Sequence, residues 1–121
     1  MQNLRAQQSL FAQLFSVFVL MLDKEGYAVT FGEGHRPEFV ADIYKKEGKS
    51  QSGRNSLHCK KLAHDIFVFK NGKLLETMEE LREVGEMWED LHPFNSWGGF
   101  FKGFFDYPHF SMGLEKPERS R

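Results

Sequence analysis

From Leu4 to Lys24 apolar residues return at helical spacing, with Leu10, Leu14, Val17 or Phe18, and Met21 in one row and Phe11, Phe15 and Leu22 beside it. So wide an apolar face predicts a long helix laid against a sheet. Gly26 follows as its stop signal. Tyr27 to Phe31 is rich in strand-forming residues, and the Gly32-Glu33-Gly34-His35-Arg36-Pro37 stretch breaks it into a loop. Pro37 suits the first turn of a helix, and residues 38–46 continue with Phe39, Val40, Ile43 and Tyr44 on one side. Arg36 therefore stands at a strand-to-helix junction.

Residues 47–55 have no apolar period and are rich in Gly and Ser, the pattern of a surface loop. Residues 62–69 read as a strand, and Asn71-Gly72 is a strong hairpin signal before a return strand at 73–75. Thr77 and Glu80 have capping-box spacing, opening a helix to about Leu91 with Leu81, Val84, Trp88 and Leu91 inward. Between His92 and Asp106 aromatics alternate with glycines. Trp97 there suits either a groove wall or the core. His109 to Met112 makes a short last strand, and no internal repeat is found.

These elements predict an α+β fold in which a small antiparallel sheet packs against a long N-terminal helix and two further helices. The 121 residues suit one domain, residues 1–121, with 115–121 read as a frayed tail. With 40% hydrophobic and 27% charged residues the chain has enough apolar material for a core, which excludes wholesale disorder. A net charge of -1 and scattered basic residues argue against a nucleic-acid partner. The run from Leu10 to Leu22 is shorter than a bilayer span and lacks signal-peptide flanks, so stable membrane insertion is not expected. The expected state is a soluble monomer. Cys59 is the only cysteine, so no internal disulfide forms, and it reads as a small packed residue rather than a nucleophile.

The chemistry is concentrated in two stretches, Ser56 to Asp65 and Asp106 to His109. If residues 59–61 turn and Asp65 lies on the following strand, its side chain points away from His64 and can meet His58. His109 on a neighbouring strand supplies a third ligand. Two imidazoles and one carboxylate suit a single zinc ion and leave a position open for catalysis. Asp106 is then the natural general acid and base, and Arg36 the candidate cation for charge growing on an attacked carbonyl oxygen, with Arg54 its competitor. His35, His64 and His92 are assigned no role in the chemistry.

Ser56-x-His58-x-x-x-x-Ala63-x-Asp65, followed by Trp97-Gly98-Gly99 and Asp106-x-Pro108-His109-Phe110, resembles the zinc peptidases that cleave bacterial cell-wall peptides. These are the D-alanyl-D-alanine carboxypeptidases of the VanY type and the phage endolysins that are L-alanyl-D-glutamate endopeptidases. The resemblance implies the hedgehog and D-Ala-D-Ala peptidase type of fold, with zinc at His58, Asp65 and His109. It also implies Asp106 as the catalytic group, Arg36 on the substrate carbonyl and Ser56 in substrate binding; Trp97, as a groove wall, is the other candidate substrate-binding residue.

Asp rather than Glu before the last ligand is similar to the endolysin endopeptidases. The implied substrate is the peptidoglycan stem peptide, cut at L-Ala-D-Glu by a phage or prophage lysis enzyme. Such an enzyme would be made in the cytoplasm without an evident signal peptide and would reach the wall through a membrane pore. The alternatives are a D-alanyl-D-alanine carboxypeptidase or dipeptidase, and a zinc-binding wall module without catalysis. Lys61 stands where the family usually has Gly, and His35 where it usually has Tyr, so the turn beyond His58 is where this chain departs most from the pattern.

Overall fold

The computed structural model describes residues 3–49, 53, 56–114 and 118–121. Its first element, α1 (Leu4–Lys24), starts where Asn3 Oδ1 accepts the Ala6 amide at 2.8 Å, satisfying one of the free amides at a helix N-terminus. The buried stripe is Phe11, Phe15, Phe18 and Leu22. That is one position along from the row headed by Leu10 and Leu14. The aromatic side chains win the inward face, since each buries more apolar surface than its leucine or valine neighbour. Val17 and Leu20 are exposed. By length and composition α1 could cross a membrane, and here it forms one wall of the core.

The strands are β1 (Tyr27–Phe31), β2 (Ala63–Lys70), β3 (Lys73–Leu74), β4 (Asn95–Trp97) and β5 (His109–Met112). All pairs are antiparallel, in the order β1-β2-β5-β4, with β3 paired to β2. The turn between β2 and β3 has positive φ at both Asn71 (53°) and Gly72 (77°), the backbone that suits strand twist in a two-residue hairpin. The helices α2 (Glu38–Lys46) and α3 (Met78–Asp90) complete the predicted α+β architecture. Thr77 and Glu80 form the capping box of α3, side chain to backbone in both directions.

One face of the sheet carries the core. Phe110 from β5 and Ile66 and Val68 from β2 pack with the α1 stripe and with Leu81, Val84 and Trp88 of α3. Phe18 stands 5.3 Å from the Trp88 ring and 5.2 Å from Phe110. The indole Nε1 of Trp88 donates to Ser111 O at 3.0 Å, which fastens α3 to the strand that bears His109.

Three expectations change. The predicted apolar side of α2 is largely open, with Phe39 66% and Ile43 48% exposed while Ala41 is buried. The glycine-aromatic stretch contains a strand, β4, whose three residues are all buried. The chain end is not a frayed tail over its described part, because Ser120 N donates to Phe100 O at 2.8 Å and Arg119 pairs with the buried Glu89. An enclosed carboxylate needs a cation, and Arg119 supplies it.

Candidate metal centre

The face of the sheet opposite the core carries the chemistry. Strand alternation sends Asp65 outward and His64 inward, where its ring stacks on Phe15 at 5.2 Å. Asp65 is in direct register with His109 across β2 and β5. His58 arrives from a 3₁₀ turn, Leu57–Lys60, that ends at Lys61 in the left-handed conformation, φ 58° and ψ 36°. Lysine thus makes the turn that glycine would make with less strain. Leu62 N then donates to Leu57 O at 2.9 Å and β2 begins.

One ligand atom from each of His58, Asp65 and His109 lies within 4.8 Å of the others. His58 Nε2 is 3.2 Å from Asp65 Oδ1, and His109 Nδ1 is 3.8 Å from that same oxygen. The other nitrogen of His58, Nδ1, donates to Gly34 O at 2.8 Å. A carbonyl can only accept, so in the neutral ring the proton sits on Nδ1 and the Nε2 lone pair faces the carboxylate. Asp65 Oδ1 is shut off from solvent without a hydrogen-bond partner. A lone pair and an orphaned carboxylate oxygen converging on one spot call for a cation between them. This donor set fits a divalent metal.

The charges point the same way. Burial opposes protonation of His58, but Asp65 and the Gly34 carbonyl outweigh it and lift its pKa above the ordinary value. Burial and the neighbouring His58 push His109 down to about 4, so that ring is neutral and ready to ligate near neutral pH. Asp106 is pushed up to about 6, first by burial and then by the charge of Asp65.

Asp106 stands beside the cluster, with Oδ2 4.0 Å from His109 Nδ1. Its amide donates to Gly98 O at 3.0 Å, and its carbonyl accepts the His109 amide at 3.1 Å. A Cβ on Gly98 would lie 2.1 Å from Asp106 O, so only glycine lets the chain just after β4 approach the segment so closely. Pro108 O accepts from Ile66 N at 2.9 Å and ties the same segment to β2.

Arg36 is 8% exposed, with its amide donating to His58 O at 3.1 Å and its guanidinium held by Glu33. Its charge reaches His58, Asp106 and His109, lowering the pKa of each. Ser56 is buried, and its Oγ accepts the His58 amide at 3.2 Å as the cap of the 3₁₀ turn. Arg54, the other cation considered, lies outside the described residues. Burial holds the Cys59 thiol above its usual range, which does not favour a thiolate nucleophile.

Trp97 is a correction. Its ring is fully buried against Phe100, with Nε1 donating to Tyr107 O at 2.8 Å. A ring sealed between α3 and the Asp106 segment is core and has no surface to offer a substrate. Sequence reasoning passed over two residues that serve the site. Gly34 contributes its carbonyl to His58, and Glu33 contributes its side chain to Arg36 and its carbonyl to Asp65 N at 2.8 Å. The three-residue spacing of Glu33 and Arg36 was the visible hint for the second. Nothing in the sequence marks a backbone carbonyl acceptor such as that of Gly34.

A family model described as D-alanyl-D-alanine carboxypeptidase matches residues 50–112, which carry His58, Asp65, Asp106 and His109. The chain belongs to this peptidase family. It is a metal-dependent peptidase of the kind that acts on peptidoglycan peptides. Among solved structures, the Serratia marcescens L-Ala D-Glu endopeptidase ChiX shares the fold. The TM-score is 0.60 at 22% identity, over 71% of this chain and 67% of that one. No curated protein matches the sequence. The carboxypeptidase family thus accounts for the half of the chain that holds the metal centre, and the shared fold extends further.

Proposed function

We propose that this chain is a zinc-dependent L-alanyl-D-glutamate endopeptidase of the peptidoglycan stem peptide, acting as a phage or prophage endolysin. The observation that carries the reading is the convergence of His58, Asp65 and His109 on one orphaned carboxylate oxygen, with the Asp106 carboxylate alongside. His58, Asp65 and His109 would hold the zinc ion, which would supply Lewis acidity towards water and the scissile carbonyl.

The chain's own groups do the rest. Asp106 takes a proton from the attacking water and returns it to the leaving amine, and a carboxyl lifted towards neutrality by burial and by Asp65 is suited to both transfers. Arg36 donates to the carbonyl oxygen as negative charge grows there. Ser56 is a positioning residue: it holds the His58 amide and so fixes the turn that presents the ring. Gly34 does the same for the tautomer of His58.

A D-alanyl-D-alanine carboxypeptidase is the second reading, favoured by the family's description. Asp106 in Asp-x-Pro-His, similar to the endolysin endopeptidases, and the fold shared with an L-Ala D-Glu endopeptidase support the first. Mass spectrometry of muropeptides digested with and without a chelator separates them. The endopeptidase leaves L-Ala at the end of the glycan-linked fragment, and chelator abolishes that product. Release of free D-Ala instead would replace the reading with the carboxypeptidase. No product of either kind from metal-loaded protein would leave a binding module.

A further inference from the structure

Glu33 lies in the loop between β1 and α2, where neither element needs an acid. Its Oε1 accepts from Arg36 Nε at 2.8 Å and from Nη2 as well, gripping one edge of the guanidinium. The Tyr44 ring lies 5.0 Å from the guanidinium carbon. The loop itself is stitched to both ligand-bearing segments. Glu33 O accepts from Asp65 N, Gly34 O from His58 Nδ1, and Arg36 N donates to His58 O. Arg36 is thus fixed relative to the metal-binding residues.

The grip has two consequences. Glu33 engages two of the five N–H donors of Arg36, so a ligand would be met by the others. It also sets a negative charge against the positive one, so the pair offers directed donors with little net charge. A peptide carbonyl oxygen benefits from such donors. A carboxylate benefits much less, because Glu33 repels it at short range.

We propose that Glu33 is the positioning residue that decides what Arg36 recognises: an internal peptide carbonyl in preference to a substrate's terminal carboxylate. The proposal rests on the endopeptidase reading and assigns its avoidance of chain ends to one side chain.

Glu33→Gln keeps an acceptor oxygen beside Arg36 and removes the charge. The zinc-loaded protein is assayed on two short peptides with the same cleavable bond, one ending in a free carboxylate and one in an amide. The kcat/KM ratio of acid to amide should rise about fivefold in Glu33→Gln, stay at the wild-type value in Glu33→Asp, and not respond to Glu33→Gln when Arg36 is already Gln. An equal effect on both peptides, or the same rise without Arg36, would overturn the proposal. A binding titration with acetyl-D-alanine and its amide, followed through the Arg36 Nε–H resonance, asks the question without cleavage. The variant should favour the acid over the amide about fivefold more than wild type does, and an unchanged preference counts against Glu33. Loss of cleavage of both peptides in wild type counts instead against the endopeptidase reading, and Glu33 is then judged by the titration alone.

Discussion

Asp65 and His109 face each other directly across the β2–β5 pair, with Nδ1 of the imidazole 3.8 Å from the Asp65 Oδ1 that no hydrogen bond satisfies. Antiparallel pairing places both side chains on the same face of the sheet, and His58 closes on that same oxygen from outside. Asp65→Asn should weaken zinc binding by more than the roughly 100-fold that loss of a ligand's hydrogen-bond partner costs. Chelator competition measures it, and the rise in Tm on adding zinc should shrink in parallel. Near wild-type affinity in the variant would remove Asp65 from the ligand set.

Asp106 lies 4.0 Å from His109 Nδ1, beside the three ligands rather than among them. Asp106→Ala should therefore still bind one zinc ion while kcat falls by about 10²–10⁴. Metal analysis and turnover on the same preparation test the division of labour, which fails if zinc and activity are lost together.

Lys61 holds a left-handed backbone at φ 58°. Lys61→Gly should raise unfolding stability by about 1 kcal/mol, since a Cβ in that conformation costs about this much. Urea denaturation should show a higher midpoint at unchanged slope. A lower midpoint would mean that the turn after His58 is built differently.

Trp97 is fully buried, and its Nε1 is bound to Tyr107 O. Trp97→Phe should cost about 2–3 kcal/mol, from the unsatisfied carbonyl and the lost volume, with KM unchanged. A rise in KM without loss of stability would return Trp97 to the substrate groove.

Glu80 accepts the amides of Glu76 and Thr77 and pairs with Lys73. The Glu76 amide and Lys73 hold its carboxyl down at about 2. A pKa below the unfolded value makes the ionised carboxylate stabilising above about pH 4.5, and that contribution is lost as pH falls through about 2. The Tm gap between wild type and Glu80→Ala should be widest near neutral pH and should close over that window. Calorimetry at pH 7, 4 and 2 follows it, and a gap as wide at pH 2 as at pH 7 would exclude the carboxylate as its source.

Local rules carried far along this chain. Capping residues, the Asn71-Gly72 turn and strand alternation at His64 and Asp65 depend on neighbours a few positions apart, so α1, β1, the hairpin and α3 were legible, as was the outward direction of Asp65. Periodicity could not choose which apolar row of α1 turns inward, because Leu10, Leu14 and the phenylalanines all satisfy it. Only packing against Trp88 and Phe110 decides that. The same limit left Trp97 undecided between groove and core until a Tyr107 carbonyl and the Phe100 ring enclosed it.

The sequence by itself determined the types of donor present and the elements that carry them: two imidazoles, a carboxylate strand and a second acid three residues before the last histidine. Tertiary structure alone decided that Asp65 stands in register with His109, that Gly34 presets the His58 tautomer and that Glu33 holds Arg36. The reason is physical. Residue type sets which chemistry a group can perform, whereas distance, burial and the partner at its other end set its charge and direction, and those are properties of the folded chain.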